Sequence, residues 1–448
     1  MKKILVFSLS LLFLNLNAGY SQKVWTLEEC FQYAYQNNLQ IKRQGLLADV
    51  SKVDLQESRY AMLPNLNASF GHNFSSGRSL NTETYTWVNR SQQDGSLGAG
   101  SNLNIFNGLQ QYNTIQRSKF DLLRDLANVE KIKNDITLNI ATSYLQILFA
   151  YELLELAINQ RDVTLQQADR ISKMVDVGNK ARGDLLEIEA QLANDNLTVT
   201  NAENSLQISY VDLIQLLELE LDSLGSFRIE RPVIQDIEME NVLNVNELYA
   251  EALNVLPQIR SAEYNLQGRE KDLSVSKGAR FPELYMRGYY YSRYNNTATD
   301  PLNPLETYSY IDQIKDNQYR QLSFGLSVPI FNRRQVESSV SKSKIALKNA
   351  QYELEQTRKD LYKDIQQAQS DATAALEKYK ASIQAVESNQ ESFNYTQQKY
   401  EVGLVNSVDF NIAKNELLIA SSNLLQAKYE YIFKIKILDF YMGKQIIL

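Results

Sequence analysis

The chain of 448 residues has only one cysteine, Cys30, and one histidine, His72. A single thiol cannot close an intrachain disulfide. Most zinc sites and nucleophile-base pairs draw on several such residues, so no catalytic centre, metal site or cofactor is expected. Basic charge is also short, with 46 Lys and Arg against 53 Asp and Glu, a net charge of -7. Removing Lys2 and Lys3 with a leader gives -7 - 2 = -9. That is the wrong sign for a nucleic-acid binder, which needs a basic face to displace counterions from phosphate. Beyond the first residues no apolar stretch of about 18 residues stands out, so no transmembrane helix is expected and any membrane passage has to use strands.

What is present begins with a leader. Met1-Lys2-Lys3 is followed by an apolar run from Ile4 to Leu16, then Asn17-Ala18-Gly19-Tyr20-Ser21. This is the pattern of a secretory signal peptide over residues 1–21, with cleavage before Gln22. No cysteine follows that site, so lipid attachment there is not expected.

The rest of the chain repeats itself. Thr26-Leu27-Glu28-Glu29-Cys30-Phe31 matches Asn244-Val245-Asn246-Glu247-Leu248-Tyr249 at an offset of 218. Leu63-Pro64-Asn65-Leu66 falls on Phe281-Pro282-Glu283-Leu284 at the same offset. Later the offset is 225, carrying Ile105-Phe106-Asn107 onto Ile330-Phe331-Asn332, and Val177-Gly178 with Asp184 onto Val402-Gly403 with Asp409. The units are 22–225 and 226–448. In each, Thr26 or Asn244 opens a helix, with Glu29 or Glu247 placed to complete a capping box.

Strands are expected at about 63–76 and 93–106, and at about 281–295 and 318–331. Leu97, Ala99, Leu103 and Ile105 alternate with Gly98, Gly100, Asn102 and Asn104, and Leu322, Phe324, Leu326, Val328 and Ile330 alternate with small or polar residues. One face is therefore apolar. It is either the core of a soluble sandwich or the lipid side of a barrel whose other face is wet; tyrosines gathered near one strand end suit the second. His72 falls with Tyr290 on the apolar face, and Cys30 aligns with Leu248 as a buried thiol.

Helices are expected over 107–175 and 182–218, and over 332–401 and 407–442. The longest would reach about 100 Å at 1.5 Å per residue. Leu347, Ala350, Leu354, Leu361, Ala368, Ala372 and Ala375 recur at coiled-coil spacing, with many small seam residues. Val177-Gly178 and Val402-Gly403-Leu404 break that period and read as hairpin tips, each followed by an acid, Asp184 or Asp409, in the first turn of the return helix.

These residues resemble the TolC family of outer-membrane efflux proteins. The resemblance rests on the signal peptide, the Thr26-Leu27-Glu28-Glu29 opening, Asn38-Leu39-Gln40-Ile41 and Leu256-Pro257-Gln258-Ile259. It rests also on the Asn104 to Gly108 and Val328 to Asn332 junctions, and on the two Val-Gly turns. It implies an α+β membrane protein: a homotrimer in which each subunit gives four strands to a twelve-stranded barrel, and long antiparallel helices to a periplasmic tunnel. It implies an outer-membrane location in contact with lipid, and no bond chemistry. The implied partners are a periplasmic adaptor protein and an inner-membrane transporter of RND or ABC type, in efflux or type I secretion. Val177, Gly178, Val402, Gly403 and Leu404 are the implied adaptor contacts, and Asp184 and Asp409 the implied tip constriction. Ile412 stands where some members carry a second acid.

A soluble periplasmic coiled-coil scaffold or adaptor is the other reading. A carboxylate hydrolase such as a glycosidase lacks any paired acids that capping leaves unexplained. Fractionation separates the first two: a trimer that needs detergent for release is expected, whereas a soluble periplasmic monomer would favour the scaffold.

Overall fold

A computed structural model describes residues 24–81, 85–220, 222, 225–232, 244–299 and 308–447. The leader and the loop residues 82–84 and 300–307 lie outside that set.

The elements repeat in length as well as in sequence. The first half holds α1 (Leu27–Asn37), α2 (Leu39–Tyr60), α3 (Gln110–Asp176) and α4 (Arg182–Leu216), of 11, 22, 67 and 35 residues. The second holds α5 (Val245–Val255), α6 (Pro257–Gly278), α8 (Gln335–Glu401) and α9 (Ser407–Tyr441), again of 11, 22, 67 and 35 residues. Interspersed with these helices are the short α7 (Tyr310–Asp316) and six strands. The strands are β1 (Val24–Trp25), β2 (Asn67–Asn81), β3 (Thr86–Asn107), β4 (Arg228–Ile229), β5 (Glu283–Asn295) and β6 (Tyr319–Ser327), with α7 between the last two.

The chain forms two compact units and passes between them inside helices. The first takes Met1–Leu46, Ala127–Ile259 and Gln356–Leu448. Here α3 and α4 form an antiparallel hairpin: Ile171 packs with Ile188 near the turn, and Ala157 with Val199 and Ala202 farther along. α8 and α9 do the same, with Phe393 on Phe410 and Lys434 on Asp371. The main core gathers Cys30 and Phe31 of α1, Ile136, Ile140 and Tyr144 of α3, Leu213 of α4, Ile229 of β4 and Ile432 of α9. Each such aliphatic side chain contributes about 1.5–3 kcal/mol by leaving water.

α3 contains an 18-residue window of mean hydropathy 1.2, which the expectation of no such stretch passes over. Ile136, Ile140, Ala141, Leu145, Ile147 and Leu148 of this helix are buried, so it serves as core.

Thr26 and Glu29 close the expected capping box, each side chain accepting from the other's amide at 3.1 Å. The second copy differs. Asn244 accepts from the Asn246 amide at 3.0 Å, two residues on rather than three, and no capping box with Glu247 forms. Asn38, buried between helices, accepts from the Gln40 amide at the start of α2 and donates to the Leu216 carbonyl at the end of α4 at 3.0 Å. One side chain thus caps two helix ends.

The second unit takes Leu47–Leu126 and Arg260–Glu355, and its centre is an antiparallel sheet in the order β2-β3-β5-β6. Partners in register share a face. Phe70 opposes Leu97, Leu103 opposes Met286, Met286 opposes Phe324, and Leu284 opposes Leu326, all on one side. Opposite them lie Asn67, Gly100, Asn102 and Ser323. The apolar side is bare: Phe70, Phe74 and Phe324 are 67, 75 and 65 % exposed. His72 lies on it, with its ring against Phe74 and Tyr294.

Local expectations change. β2 runs on to Asn81 and β3 starts back at Thr86, past the expected ends near 76 and 93, while β6 stops at Ser327, short of Val328 and Ile330. The ladder shifts between Asn104 and Phe106, so Ile105 is the extra residue of a bulge and Phe106 takes the place opposite Leu284. The tyrosines of β5 also divide between the faces. Tyr290 and Tyr294 share the apolar side, while Tyr285, Tyr289 and Tyr291 lie on the polar one by alternation.

Gly325 makes room for Tyr285, since a Cβ there would stand 2.2 Å from the ring Cζ. Gly325→Ala should cost about 1–3 kcal/mol, the usual scale of overpacking. In the Tyr285→Ala background the same change should cost almost nothing, read as thermal dissociation of the purified protein.

Candidate functional site at the helical tips

Both tips are built from a glycine stop. Gly178 and Gly403 each have φ of +77°, a backbone state that side chains with a Cβ disfavour. At the first tip the Gly178 amide donates to Val175 O at 3.0 Å and the Asn179 amide to Met174 O at 2.8 Å. At the second the Gly403 amide donates to Tyr400 O at 3.1 Å and the Leu404 amide to Lys399 O at 2.8 Å. These are paired Schellman closures, which satisfy the last carbonyls of α3 and α8 and reverse the chain at once.

The return helices start differently. Asn406 caps α9 by accepting from the Asp409 amide at 2.9 Å, while Ala181 offers α4 no side-chain cap. Asp184 sits 3.7 Å from Lys180. Asp409 is exposed, in the first turn of α9 where the helix dipole favours an acid.

The structure sets the two tips side by side. Ser407 Oγ donates to Glu187 Oε2 at 2.6 Å, Arg170 stands 3.9 Å from Glu401, and the Lys180 ammonium lies 5.6 Å from the Tyr400 ring centre. Tyr400 stacks on buried Phe410 at 4.8 Å. Val177, Val402 and Leu404 are 70, 71 and 75 % exposed, and Ile412 is exposed on the face after Asp409. The tips thus offer water an apolar surface on a backbone fixed by hydrogen bonds.

Behind them lies a polar group that the repeat does not announce. Lys414 of α9, only 2 % exposed, meets Asp195 of α4 at 3.0 Å and donates to Thr164 of α3, whose hydroxyl donates in turn to Asp195. Gln191 Nε2 donates to the second Asp195 oxygen at 2.8 Å. Three helices are joined by one buried ion pair.

At the offset of 225 the matching residues are Asn389, Ala420 and Glu189, so the group exists at only one of the two hairpins. A signal was available: Asp195 stands seven residues from both Ile188 and Ala202, a charged residue in an otherwise apolar or small seam.

Burial lowers the Lys414 pKa below the usual lysine range, with Asp195 opposing the shift. A lysine depressed in the folded state costs stability at neutral pH, and the cost fades as pH rises through its folded value toward the ordinary one.

The family model described as outer membrane efflux protein matches residues 31–218 and 248–444. The chain is 24 % identical over 430 residues to outer membrane protein TolC of Vibrio cholerae, covering 93 % of this chain and 90 % of that one. It is 22 % identical to the proteases secretion protein PrtF of Dickeya chrysanthemi, covering 94 and 88 %. Among solved structures, the CmeC outer membrane channel of Campylobacter jejuni superposes with a TM-score of 0.79 at 16 % identity, covering 93 % of this chain and 85 % of that one.

Lys414→Met should destabilise the protein by about 3–5 kcal/mol by leaving Asp195 buried without its partner. The double variant Lys414→Met with Asp195→Leu should regain most of that loss, measured as thermal unfolding of the helical signal.

Proposed function

The chain belongs to the outer membrane efflux protein family, and on that premise we propose how its tips and its sheet serve the work of an outer-membrane efflux or secretion channel. The observation that carries the reading is the sheet. Its apolar side is bare and its other side carries small and polar residues with tyrosines and arginines among them, the division that a strand wall between lipid and a wet pore requires. A soluble scaffold would expose Phe70, Phe74, Leu322 and Phe324 to water with nothing to offset the cost.

Val177, Gly178, Val402, Gly403 and Leu404 are the surface on which a periplasmic adaptor docks. Their support is exposure joined to rigidity: apolar side chains held on Schellman turns lose little freedom when covered. An inner-membrane transporter of RND or ABC type then supplies energy and direction, and the channel itself is a passive exit for what it is handed.

Asp184 and Asp409 serve at the constriction in unequal ways. Asp184 is neutralised in part by Lys180, whereas Asp409 stands exposed, so copies of Asp409 brought together at an axis would set cation affinity there. With Ile412 in place of a further acid, that ring is single.

Two measurements test this. Leu404→Asp should abolish cross-linking to the adaptor while leaving the trimer intact. Asp409→Ala should weaken block by divalent cations in single-channel recordings, and unchanged conductance and block would refute its role at the constriction.

A further inference from the structure

The polar face of the sheet holds more than the small residues of a neutral pore wall. Along β5, Glu283, Tyr285, Arg287, Tyr289, Tyr291 and Arg293 alternate onto it. The Tyr285 and Tyr289 rings spread over glycines of the flanking strands. A Cβ on Gly100 would stand 2.9 Å from Tyr289, and one on Gly98 would stand 3.5 Å from Tyr291 Cβ, as Gly325 makes room for Tyr285. On this floor the Arg287 guanidinium sits 4.4 Å from the Tyr285 ring centre, and that of Arg293 sits 5.1 Å from Tyr291.

Neither arginine has a carboxylate within ion-pair distance among the described residues. Asp94, two residues beyond Arg293 in the register, makes no ion pair with it and accepts at Oδ1 from Gln92 and Asn295 at 2.9 and 3.0 Å. Glu283 lies four residues along the strand from Arg287, roughly 13 Å at 3.3 Å per residue and beyond the screening length. Arg287 is therefore an exposed cation with aromatic support and no acid beside it.

We propose that this face of β5 is an anion-binding band in the pore, centred on Arg287 and supported by Arg293, and that it favours solutes carrying sulfonate, carboxylate or phosphate groups on an aromatic body. The inference rests on the channel reading and names the class of solute that the channel passes best. A guanidinium stacked on a ring keeps its planar fork of donors ready for such an anion, while the exposed Tyr289 ring offers a stacking surface beside it. Low-dielectric walls focus the field of each charge, and a closed barrel brings further copies of the same pair to one level.

The test uses purified trimers in a planar bilayer, with hydroxypyrene trisulfonate added on the side of the strand-connecting loops and methyl viologen as the aromatic cation. The trisulfonate should block current and methyl viologen should not. Arg287→Gln should raise the concentration needed for block by about tenfold, the Arg287→Gln with Arg293→Gln pair further, and Arg287→Lys should keep part of the affinity. Equal block in wild type and Arg287→Gln, or equal block by methyl viologen, overturns the proposal while the channel stands. A wild-type protein that forms no conducting trimer overturns the channel reading and this inference together.

Discussion

A peptide group in hydrocarbon has no water to bond to, so every strand that crosses a bilayer must have both edges paired. The sheet of this chain has four strands and two open edges, on β2 and β6. It cannot face lipid as it stands. Closure by further copies is therefore a condition of the fold, and it is met in the trimeric barrel of the family. The shortest strand of this sheet, β6, has nine residues, close to the span a membrane strand needs, while β3 has 22 and runs past its partner β5. Gln93 still bonds Asn296 just past the end of β5, and from Gln92 back to Thr86 the ladder partner of β3 among the described residues is β2, as suits a hairpin in water.

The helical repeat was legible in the residues themselves. The offsets of 218 and 225 hold at the starts of the matching helices, because apolar periodicity, glycine stops and capping residues are local signals. The strand faces were legible for the same reason, since alternation needs no knowledge of the partner strand. What was missed depended on contact. The bulge at Ile105 is set by the register against β5, and the pairing of Tyr285 with Gly325 and Tyr289 with Gly100 depends on which strands lie beside β5. The second capping box is lost because Asn244 accepts from the amide two residues on, a choice of partner that residue type alone does not announce. The apolar window in α3 failed to stand out because polar residues interrupt it, and its core role comes from what packs around it.

The Lys414 group is the instructive omission at the tips. The duplication that exposes so much of the architecture also conceals departures from itself, because aligned positions invite the same reading. Thr164, Asp195 and Lys414 have no equivalents in the other copy, so the two hairpins are not interchangeable: α9 is bound to the α3–α4 pair by a buried charge. A buried pair of this kind adds little net stability against an apolar alternative, but it penalises every arrangement that separates the partners. The tips therefore combine alike turns with unlike anchoring, and their acids differ in the same sense, one paired and one free.

The glycine-tyrosine pairs of the sheet carry a consequence for how such a chain diverges over time. A side chain at Gly325 has to push aside the far end of the Tyr285 ring, whereas the ring can shrink while the glycine stays. The two orders of change differ in cost. Lineages should accordingly favour a stage with a vacant floor before a new side chain appears, and ancestry at these sites becomes a biased path.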